Sequence, residues 1–318
     1  MKERYGRQVI SEFWLKLIAI VTMTIDHVGV FLNMYSGSFP NSSAIDDLSN
    51  VFQIIGRIAF PLFAFMLAEG LSHTKDKTKY LLRLLVIWGV IFLVEGILYI
   101  QFLNGSNVFQ NPPSQIFTSL VLYVLFAVLL EQKCRKKWLA ALPVAFILLS
   151  YAAEISTLYY EASASEGVRS LLSWQLYFPP FLRVQYSLYG FLIFLGFYFA
   201  RPFGDWFLKR SLQLKDEDLV IYKESKDYRD LLNITSAASF ALITVVFWGL
   251  SYIQTPAPPY TFDVDLMGWQ TYGLISALLI LCYNGKRGYD AKWFRYFNYL
   301  YYPVHIAIIA LIFVLVFA

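Results

Sequence analysis

The chain has 318 residues, of which 58% are hydrophobic, 19% aromatic and only 15% charged, and its formal net charge is +4. Ordinary soluble domains contain about 25% charged residues, so this composition excludes a soluble globular protein and indicates a membrane protein without a separate soluble domain. The two cysteines, Cys134 and Cys282, give no disulfide framework, and we expect no nucleic-acid partner.

Nine hydrophobic stretches follow one another along the chain, each close to the roughly 20 residues that cross a bilayer. They are 13–34, 51–72, 79–100, 115–130, 138–158, 181–200, 231–253, 269–283 and 297–318, of which the fourth and eighth are short. No cleavage site follows the first stretch, so we expect it to stay in the protein as a span. The sequence predicts an all-α polytopic transmembrane bundle that forms one domain over residues 1–318.

The distribution of Lys and Arg predicts the orientation, because basic residues accumulate in cytoplasmic loops. With a cytosolic N-terminus, the inner segments and span ends hold 23 of the 26 Lys and Arg residues, and the exceptions are Arg57, Arg169 and Arg183. Nine spans then place the C-terminus outside.

Two connecting segments are longer than simple turns. Residues 154–180 contain YEASASEGVRS and end in LYFPP, and we expect a short interfacial helix there on the outer side. Residues 201–230 contain seven basic and seven acidic residues. This composition favours a cytosolic amphipathic helix or, as the plainer alternative, a solvated hairpin between two spans.

The first two spans contain ionisable residues that lipid disfavours, namely Asp26 and His27 in the first and Arg57 and Glu69 in the second. A charge at the bilayer centre costs roughly 2.5–3.5 kcal/mol on insertion scales. We therefore expect these groups to face a shared polar interior. Asp26 and His27 are adjacent and point about 100° apart on a helix, so we expect Asp26 to pair with Arg57 and His27 to face a substrate.

Distances along the predicted helices divide the intramembrane polar groups into two clusters. The outer cluster is expected to contain His27, Arg57, Glu95 and Arg183, and the inner cluster is expected to contain Glu69, His73 and His305. As an alternative, Glu95 and His305 are ordinary hydrogen-bonded packing residues.

Two prolines and three histidines complete this set. We expect Pro61 to break the second span and to expose carbonyl groups to a ligand, and Pro303 to kink the helix near His305. The three histidines are far apart and no metal-binding spacing occurs, so no metal is expected.

Three blocks resemble a known family of bacterial membrane proteins. The runs LKLIAIVTMTIDHVGVFL, FQIIGRIAFPLFAFMLAEGLSHTKDKTKYLLRLL and YLYYPVHIAII are similar to the TraX family, which is associated with N-terminal acetylation of conjugative pilin. The chain is more distantly similar to integral-membrane acyltransferases of the acyltransferase-3 and heparan glucosaminide acetyltransferase type. The blocks cover about a quarter of the chain, and the middle, residues 102–259, matches no family by inspection.

The resemblance implies an acetyltransferase of the bacterial cytoplasmic membrane that takes acetyl-CoA from the cytosol. The acceptor stays open and is an amine or a hydroxyl, on a peptide N-terminus, a glycan or a lipid. A histidine suits the role of base because its pKa of about 6.5 lies near working pH. We expect His27 to act as this base or as a transient acetyl carrier. Asp26 is expected to fix the geometry through Arg57, and Arg57 alternatively stabilises the thioester oxyanion.

The donor's phosphate groups are expected near the cytosolic face. Basic residues of the first and last inner loops are the candidates for holding them: Lys75, Lys77, Lys79, Arg83, Lys286, Arg287, Lys292 and Arg295. The plainer alternative is that these are ordinary positively charged cytoplasmic loops. Glu69, Tyr302 and His305 are expected to line the path of the donor's pantetheine arm.

Two other classes of function stay open. Intramembrane Asp, His, Glu and Arg also build proton relays, so a proton-coupled transporter or channel is the main alternative, although no inverted repeat is visible. A purely structural or assembly protein is the third class, and it would need no acetyl-CoA.

Overall fold

The structure is a computed structural model that describes residues 8–103, 116–132, 134–163, 165–178, 182–213, 215–253 and 266–317. Regular structure within these ranges is helical, and the single extended contact there is an isolated parallel bridge between Ile10 and Tyr283. The predicted all-α class is therefore confirmed for the described residues.

Thirteen α-helices occur in the described part of the chain. They are α1 (Glu12–Met34), α2 (Ser42–Gly56), α3 (Ala59–His73), α4 (Lys77–Leu103), α5 (Ile116–Leu130), α6 (Ala141–Ala162), α7 (Glu166–Leu172), α8 (Ser187–Ser211), α9 (Asp216–Tyr222), α10 (Lys226–Ser251), α11 (Met267–Gln270), α12 (Ile275–Leu281) and α13 (Lys292–Phe317).

Six helical stretches among the described residues are long and apolar enough to cross a membrane. They are Glu12–Met34, Ser42–His73, Lys136–Glu161, Ser187–Ser211, Lys226–Ser251 and Leu300–Phe317, and two shorter apolar helices are Ile116–Leu130 and Met267–Leu281. The protein is thus a multi-pass membrane protein. Nine crossings and their orientation remain predictions.

The chain divides into two compact units. The first comprises Met1–Glu69, Leu195–Val245 and Gly268–Ala318, and the second comprises Gly70–Phe194 and Val246–Met267. The predicted catalytic residues Asp26, His27 and Arg57 belong to the first unit, and so does His305, which was predicted to line the donor's path.

In the first unit, α1 and α13 begin side by side. The backbone of Glu12 donates to the carbonyl of Lys286 at 2.9 Å, and that of Phe13 donates to the carbonyl of Arg287 at 3.0 Å. The rings of Phe13 and Phe294 also lie 5.0 Å apart between centroids. Because both helices start at the same end of the unit, residues at equal distances from their first turns lie at similar depth.

The second span begins earlier than the sequence predicts. Helix α2 starts at Ser42, where Asn41 Oδ1 accepts a hydrogen bond from the backbone of Ala44 at 3.2 Å, whereas the predicted span starts at residue 51. The first turns of α2 contain Asp46 and Asp47, so their polarity resembles that of a loop. The helix forms because an N-cap side chain satisfies a free backbone N–H group at its start.

Helices α1 and α2 approach closely at Gly29. A Cβ atom at this position would lie 2.9 Å from Phe52 Cβ, and Ser49 Oγ donates to the carbonyl of Gly29 at 2.9 Å. A glycine without a side chain allows this contact.

Helices α2 and α3 are separated by a break at Arg57 and Ile58. Pro61 explains the position of the break, since proline has no N–H to offer the carbonyl four residues earlier and its ring clashes with that carbonyl. The expectation that the released carbonyl groups are open to a ligand is wrong, because other residues cover them. Ser276 Oγ donates to the carbonyl of Ile58 at 3.0 Å, and Gly273 lies against the carbonyl of Arg57.

The two long connecting segments contain short helices. Helix α7 and the 3-10 helix Ser173–Tyr177 lie in the segment 154–180, and the prolines of its LYFPP end fall outside the described residues. Helix α9 lies in the segment 201–230, where Leu219 is buried together with Leu208, Tyr228 and Leu232. This packing attaches α9 to the neighbouring ends of α8 and α10.

Candidate functional site

Two histidines from opposite ends of the chain form the centre of the candidate site. His27 Nδ1 on α1 lies 2.8 Å from His305 Nε2 on α13, and the two ring centroids are 4.9 Å apart. His305 is 5% exposed, whereas His27 is half-buried. A ligand therefore reaches His27 more easily than His305.

The hydrogen bonds fix which nitrogen atoms hold the protons. His305 Nδ1 lies 2.8 Å from the carbonyl of Tyr301, and a carbonyl only accepts, so His305 Nδ1 is the donor. With both rings neutral, His305 Nε2 then accepts from His27 Nδ1. The lone pair of the histidine pair consequently lies on His27 Nε2, which makes no hydrogen bond among the described residues.

Aromatic residues of α13 hold His305 in place. The ring of Tyr301 stacks on the His305 ring at 4.8 Å, and Thr24 Oγ1 lies 2.6 Å from the Tyr301 hydroxyl. Thr24 already donates to the carbonyl of Ile20 at 2.8 Å, so the Tyr301 hydroxyl is the donor to Thr24.

Tyr302, predicted to line the donor's path, lies beside the histidine pair. Its ring meets the His27 ring edge-on at 5.9 Å and the His305 ring at 5.7 Å. Tyr302 is therefore a neighbour of both histidines, and its contact with a donor stays a prediction.

The predicted ion pair between Asp26 and Arg57 is present. Arg57 Nη2 donates to Asp26 Oδ1 at 2.7 Å, and Arg57 Nε donates to the carbonyl of Gln53 at 2.9 Å. The two side chains are 18% and 16% exposed. Asp26 also lies directly against Gly56, where any Cβ atom would overlap its carboxylate.

The prediction that His305 belongs to an inner cluster with Glu69 and His73 is wrong. It assumed that the last helix begins at Phe297, whereas α13 begins at Lys292. His305 lies thirteen residues after that start and His27 fifteen residues after Glu12, which corresponds to roughly 20 and 22 Å of rise. Since the two helices begin together, their histidines meet.

Glu69 binds two arginines that the sequence analysis treated as loop charges. Arg201 Nη2 donates to Glu69 Oε2 at 3.0 Å and to Oε1 at 3.1 Å, and Arg229 Nη1 donates to Oε2 at 3.1 Å. Arg201 lies within α8 and Arg229 in the first turn of α10. The two helices extend beyond the predicted ends of their spans, and this brings the arginines to Glu69.

Most basic residues of the first inner loop are exposed, and Lys77 is half-buried. Lys79 pairs with Asp76 at 3.1 Å, and the Lys79 contacts lower the pKa of Asp76. Lys77 pairs with Glu131. Lys75 and Lys77 border an open depression of about 400 Å³ in the second unit, and Lys75, Lys79 and Arg83 are all exposed. Their proposed contact with donor phosphates stays a prediction.

Arg183, predicted in the outer cluster, is instead held inside the second unit. Its guanidinium group donates to Thr157 Oγ1 at 2.8 Å, to the carbonyl of Phe178 at 2.9 Å and to Gln175 Oε1 at 3.0 Å, and it lies 3.6 Å from Glu154. Arg183 is 4% exposed. These contacts identify it as a residue that joins α6 to the segment that follows it.

Two further expectations concern residues outside this geometry. Glu95 lies on α4, but its side chain is outside the described part of the protein. Within the described residues, no group of three or more His, Cys, Asp or Glu side chains is arranged to hold a metal ion.

The first unit therefore offers a proton acceptor at His27 Nε2, a histidine and a backbone carbonyl that orient it, and a neighbouring ion pair. A positioned imidazole of this kind can remove a proton from an amine or hydroxyl, or act as a nucleophile. Hydrolysis, group transfer and proton conduction all use such a group, so the geometry alone leaves several reactions open.

The chain is similar to known proteins. The family model described as TraX protein matches residues 11–207, more than half of the chain. The match includes residues 102–207, which by inspection resembled no family, and it ends before the YLYYPVHIAII block. No solved structure matches the chain.

Two curated bacterial proteins are similar to shorter segments. The probable fimbrial assembly protein FimC, serogroup H1, of Dichelobacter nodosus is 38% identical over 81 residues, which are 26% of this chain and 29% of that protein. The uncharacterized protein RP591 of Rickettsia prowazekii (strain Madrid E) is 36% identical over 93 residues, 29% of this chain and 30% of that protein.

The chain thus spans about 30% of the length of these curated relatives. The family match is the broader finding, because it covers α1 with His27 and the break at Arg57. This multi-pass membrane protein belongs to the TraX family.

Proposed function

We propose that the protein is a membrane-embedded acetyltransferase that moves an acetyl group from cytosolic acetyl-CoA to an amine or hydroxyl acceptor at or across the bilayer. The observation that supports this most directly is the chain of hydrogen bonds from the Tyr301 carbonyl through His305 to His27. It leaves the lone pair of His27 Nε2 available for a proton or an acyl group.

His27 acts as the general base of the proposed reaction. Its Nε2 atom removes the proton from the acceptor nitrogen or oxygen while that atom bonds to the thioester carbonyl carbon. The tetrahedral species then collapses, the carbon–sulfur bond breaks, and the proton on His27 passes to the leaving thiolate. In the variant with an acetyl carrier, Nε2 itself attacks the carbonyl carbon, the carbon–sulfur bond breaks and the thiolate leaves. The acceptor then attacks the acetyl carbon, the carbon–nitrogen bond to Nε2 breaks, and the acceptor's proton passes to the thiolate.

His305 and the ion pair prepare His27 for this step. His305 Nε2 accepts a hydrogen bond from the Nδ1–H group of His27 and so keeps the His27 ring in one tautomer, as the third member of a catalytic triad does. Arg57 pairs with Asp26, the residue that precedes His27 on α1. We assign to this pair the positioning of α1 against α2, with stabilisation of a developing oxyanion by Arg57 as the alternative.

A pilin N-terminus is the proposed acceptor class. The support is membership of the TraX family and the similarity to one relative, a probable fimbrial assembly protein. We place the protein in a bacterial cytoplasmic membrane, with the donor arriving from the side where α1 and α13 begin. A glycan or lipid hydroxyl is the acceptor to test next.

The direct test is release of free coenzyme A by the purified protein supplied with acetyl-CoA and an acceptor peptide. We expect His27→Ala to lower the turnover number by about 10²-fold or more, the contribution of a positioned base, without loss of fold. His73→Ala is the matched control, because His73 is an exposed histidine at the end of α3. Normal turnover by His27→Ala would reject the assignment.

The hydrogen-bonded histidine pair also favours a second candidate, a proton relay in a transporter or channel. The two candidates differ in an observable way. If the protein is a proton relay, the interior of proteoliposomes that contain it acidifies under an inward pH gradient without acetyl-CoA. If the protein is an acetyltransferase, it forms an acetylated product and does not require the gradient.

A further inference from the structure

A surface depression of about 400 Å³ lies in the second unit, where α4 begins and α5 ends. Its size is within the range of ligand pockets, about 300–1,000 Å³. The residues that line it are Lys75, Asp76, Lys77, Thr78, Val128, Glu131 and Gln132. The lining is therefore mostly polar and contains charges of both signs.

Helices α4 and α5 lie antiparallel, and the depression is at one end of this pair. Beside the depression, Lys77 at the start of α4 pairs with Glu131 just after α5. Farther along, Trp88 Nε1 on α4 donates to Thr118 Oγ1 on α5 at 2.9 Å. Loop charges predict that this end of the pair is cytosolic, so we expect the depression at the level of the lipid headgroups of the inner leaflet.

Lys75 is the cation of the lining that is left for a ligand. Lys79 pairs with Asp76 at 3.1 Å, and Lys77 pairs with Glu131. The exposed Lys75 side chain makes no ion pair within the described part of the chain. One such ammonium group suits a ligand with a single phosphate group. A ligand with several phosphate groups is disfavoured, because Asp76 and Glu131 would repel the additional negative charge.

Glu131 can hold a positively charged group of the same ligand. Its side chain is 45% exposed while it pairs with Lys77, and a carboxylate has about four lone-pair sites for donors. A ligand that carries a phosphate group close to a primary ammonium group can therefore contact Lys75 and Glu131 together. The headgroup of phosphatidylethanolamine has this chemistry.

An exposed apolar stripe leads away from the depression along α4. It consists of Leu82, Val86, Val90 and Leu93, which are between 55% and 69% exposed. These residues follow Thr78 at spacings of three or four residues, so they continue from the lining of the depression along one side of the helix. The opposite side of α4 is buried, at Leu81, Leu84 and Ile91.

The stripe is long enough for an acyl chain. The residues from Thr78 to Leu93 correspond to about 22 Å of helix, whereas half of the hydrocarbon core of a bilayer is about 15 Å thick. A lipid whose headgroup lies in the depression can therefore place an acyl chain against α4 through its whole leaflet.

We propose that the depression is a binding site for phosphatidylethanolamine, in which Lys75 binds the phosphate group, Glu131 binds the ammonium group and one acyl chain lies along the apolar stripe of α4. The bound lipid adds to the pair of Lys77 and Glu131 in holding this end of α4 and α5 together. The proposal is independent of the acetyltransferase function, because it uses only residues of the second unit.

The test uses the purified full-length protein in detergent and measures bound lipid by native mass spectrometry. It compares phosphatidylethanolamine, phosphatidylcholine and phosphatidylglycerol with identical acyl chains. We expect phosphatidylethanolamine to bind about threefold or more tightly than the other two. The reason is that a quaternary ammonium has no N–H group to donate to Glu131, and a glycerol headgroup has no positive charge. Equal binding of the three lipids, or a preference for phosphatidylglycerol, would overturn the proposal.

Two variants at exposed positions separate the two polar contacts. We expect Lys75→Gln to weaken binding of all three lipids by about three- to tenfold. We expect Glu131→Gln to abolish the preference for phosphatidylethanolamine over phosphatidylcholine and to leave phosphatidylcholine binding unchanged. The matched controls are Lys136→Gln and Glu161→Gln, at exposed positions of the same unit that do not line the depression. Unchanged affinity in Lys75→Gln, or unchanged selectivity in Glu131→Gln, contradicts the site.

Competition with coenzyme A distinguishes the lipid from the proposed acetyl donor, whose phosphate groups were predicted to contact Lys75. We expect coenzyme A not to displace phosphatidylethanolamine from the wild-type protein. Displacement that is lost in Lys75→Gln would assign the depression to the donor and overturn the lipid site. If the wild-type protein binds no phosphatidylethanolamine, the lipid site is wrong and the acetyltransferase proposal, which depends on His27, is unaffected.

Discussion

The ring of Tyr301 stacks on the ring of His305 one helical turn later, with centroids 4.8 Å apart and an interplanar angle of 10°, while the Tyr301 carbonyl accepts a hydrogen bond from His305 Nδ1–H. One residue thus fixes both the orientation and the tautomer of His305. Since His305 in turn accepts from His27, the state of the proposed base is set on α13.

Removing His305 should impair turnover while the donor still binds. We expect His305→Ala to lower kcat by about 10²-fold with little change in KM for acetyl-CoA, because His27 loses the acceptor that fixes its tautomer. Single-turnover acetylation in detergent measures this directly. A variant that raises KM alone would place His305 on the donor's path and not behind the base.

The hydroxyl of Thr24 should contribute a smaller effect through Tyr301. Thr24→Val removes the acceptor of the Tyr301 hydroxyl and nearly preserves volume, so we expect kcat to fall by about two- to tenfold, the value of one hydrogen bond. Thr22→Val is a matched control, because Thr22 Oγ1 bonds only to carbonyl groups of its own helix. Equal losses in the two variants would contradict a role for Thr24 in orienting Tyr301.

Gly56 should not tolerate a methyl group. A Cβ atom there overlaps the Asp26 carboxylate, so Gly56→Ala displaces Asp26 from Arg57, and we expect loss of both activity and thermal stability. Gly89→Ala is the control, since nothing lies within 4 Å of its Cβ position, and alanine there favours the helix by up to about 1 kcal/mol. Wild-type behaviour of Gly56→Ala would show that α1 and α2 separate easily.

Removing one partner of the Asp26–Arg57 ion pair should lower the free energy of unfolding more than replacing both partners by neutral residues. Arg57→Ala leaves a half-buried carboxylate without its partner, and we expect a loss of about 3–5 kcal/mol in the free energy of unfolding. The double variant Asp26→Asn, Arg57→Gln removes both charges and should lose less. A double-mutant cycle from denaturant titrations in detergent gives the coupling energy, and additive losses would argue against a direct pair.

Arg183 should matter for the fold of the second unit and not through the chemistry. We expect Arg183→Gln to lower the free energy of unfolding by about 3 kcal/mol or more, because it leaves Glu154 and several acceptors unpaired. Arg169→Gln is the control, at an exposed position on α7, and it should change stability by less than about 1 kcal/mol. A stable Arg183→Gln protein would contradict this role.

Much of the candidate site could be predicted from the sequence, because a charged residue within an apolar membrane span is costly and therefore indicates a partner or a function. Asp26 and Arg57 lie in two consecutive apolar stretches, and a charge there needs a partner, so their pairing could be predicted without coordinates. Pro61 likewise predicts a break in the second span, although the break lies at Arg57, four residues earlier, where the proline ring acts.

The partners of His305 and Glu69 could not be predicted in this way. The charged residues of Lys292 to Arg295 and of the 201–230 segment resemble cytosolic loops, yet α13, α8 and α10 extend into them. Starting a helix five residues earlier changes the expected depth of a side chain by roughly 7.5 Å. This difference is enough to bring His305 to the depth of His27 and away from that of Glu69.

A helical membrane protein of the TraX family, with Asp26, His27 and Arg57 in its first two apolar stretches, could be predicted from the sequence alone, because apolar length and charge within an apolar stretch are local properties of the chain. The contact of His305 with His27 and the contacts of Arg201 and Arg229 with Glu69 are seen only in the three-dimensional structure. These contacts join residues more than a hundred positions apart, and they depend on where each helix begins and on which helices start side by side.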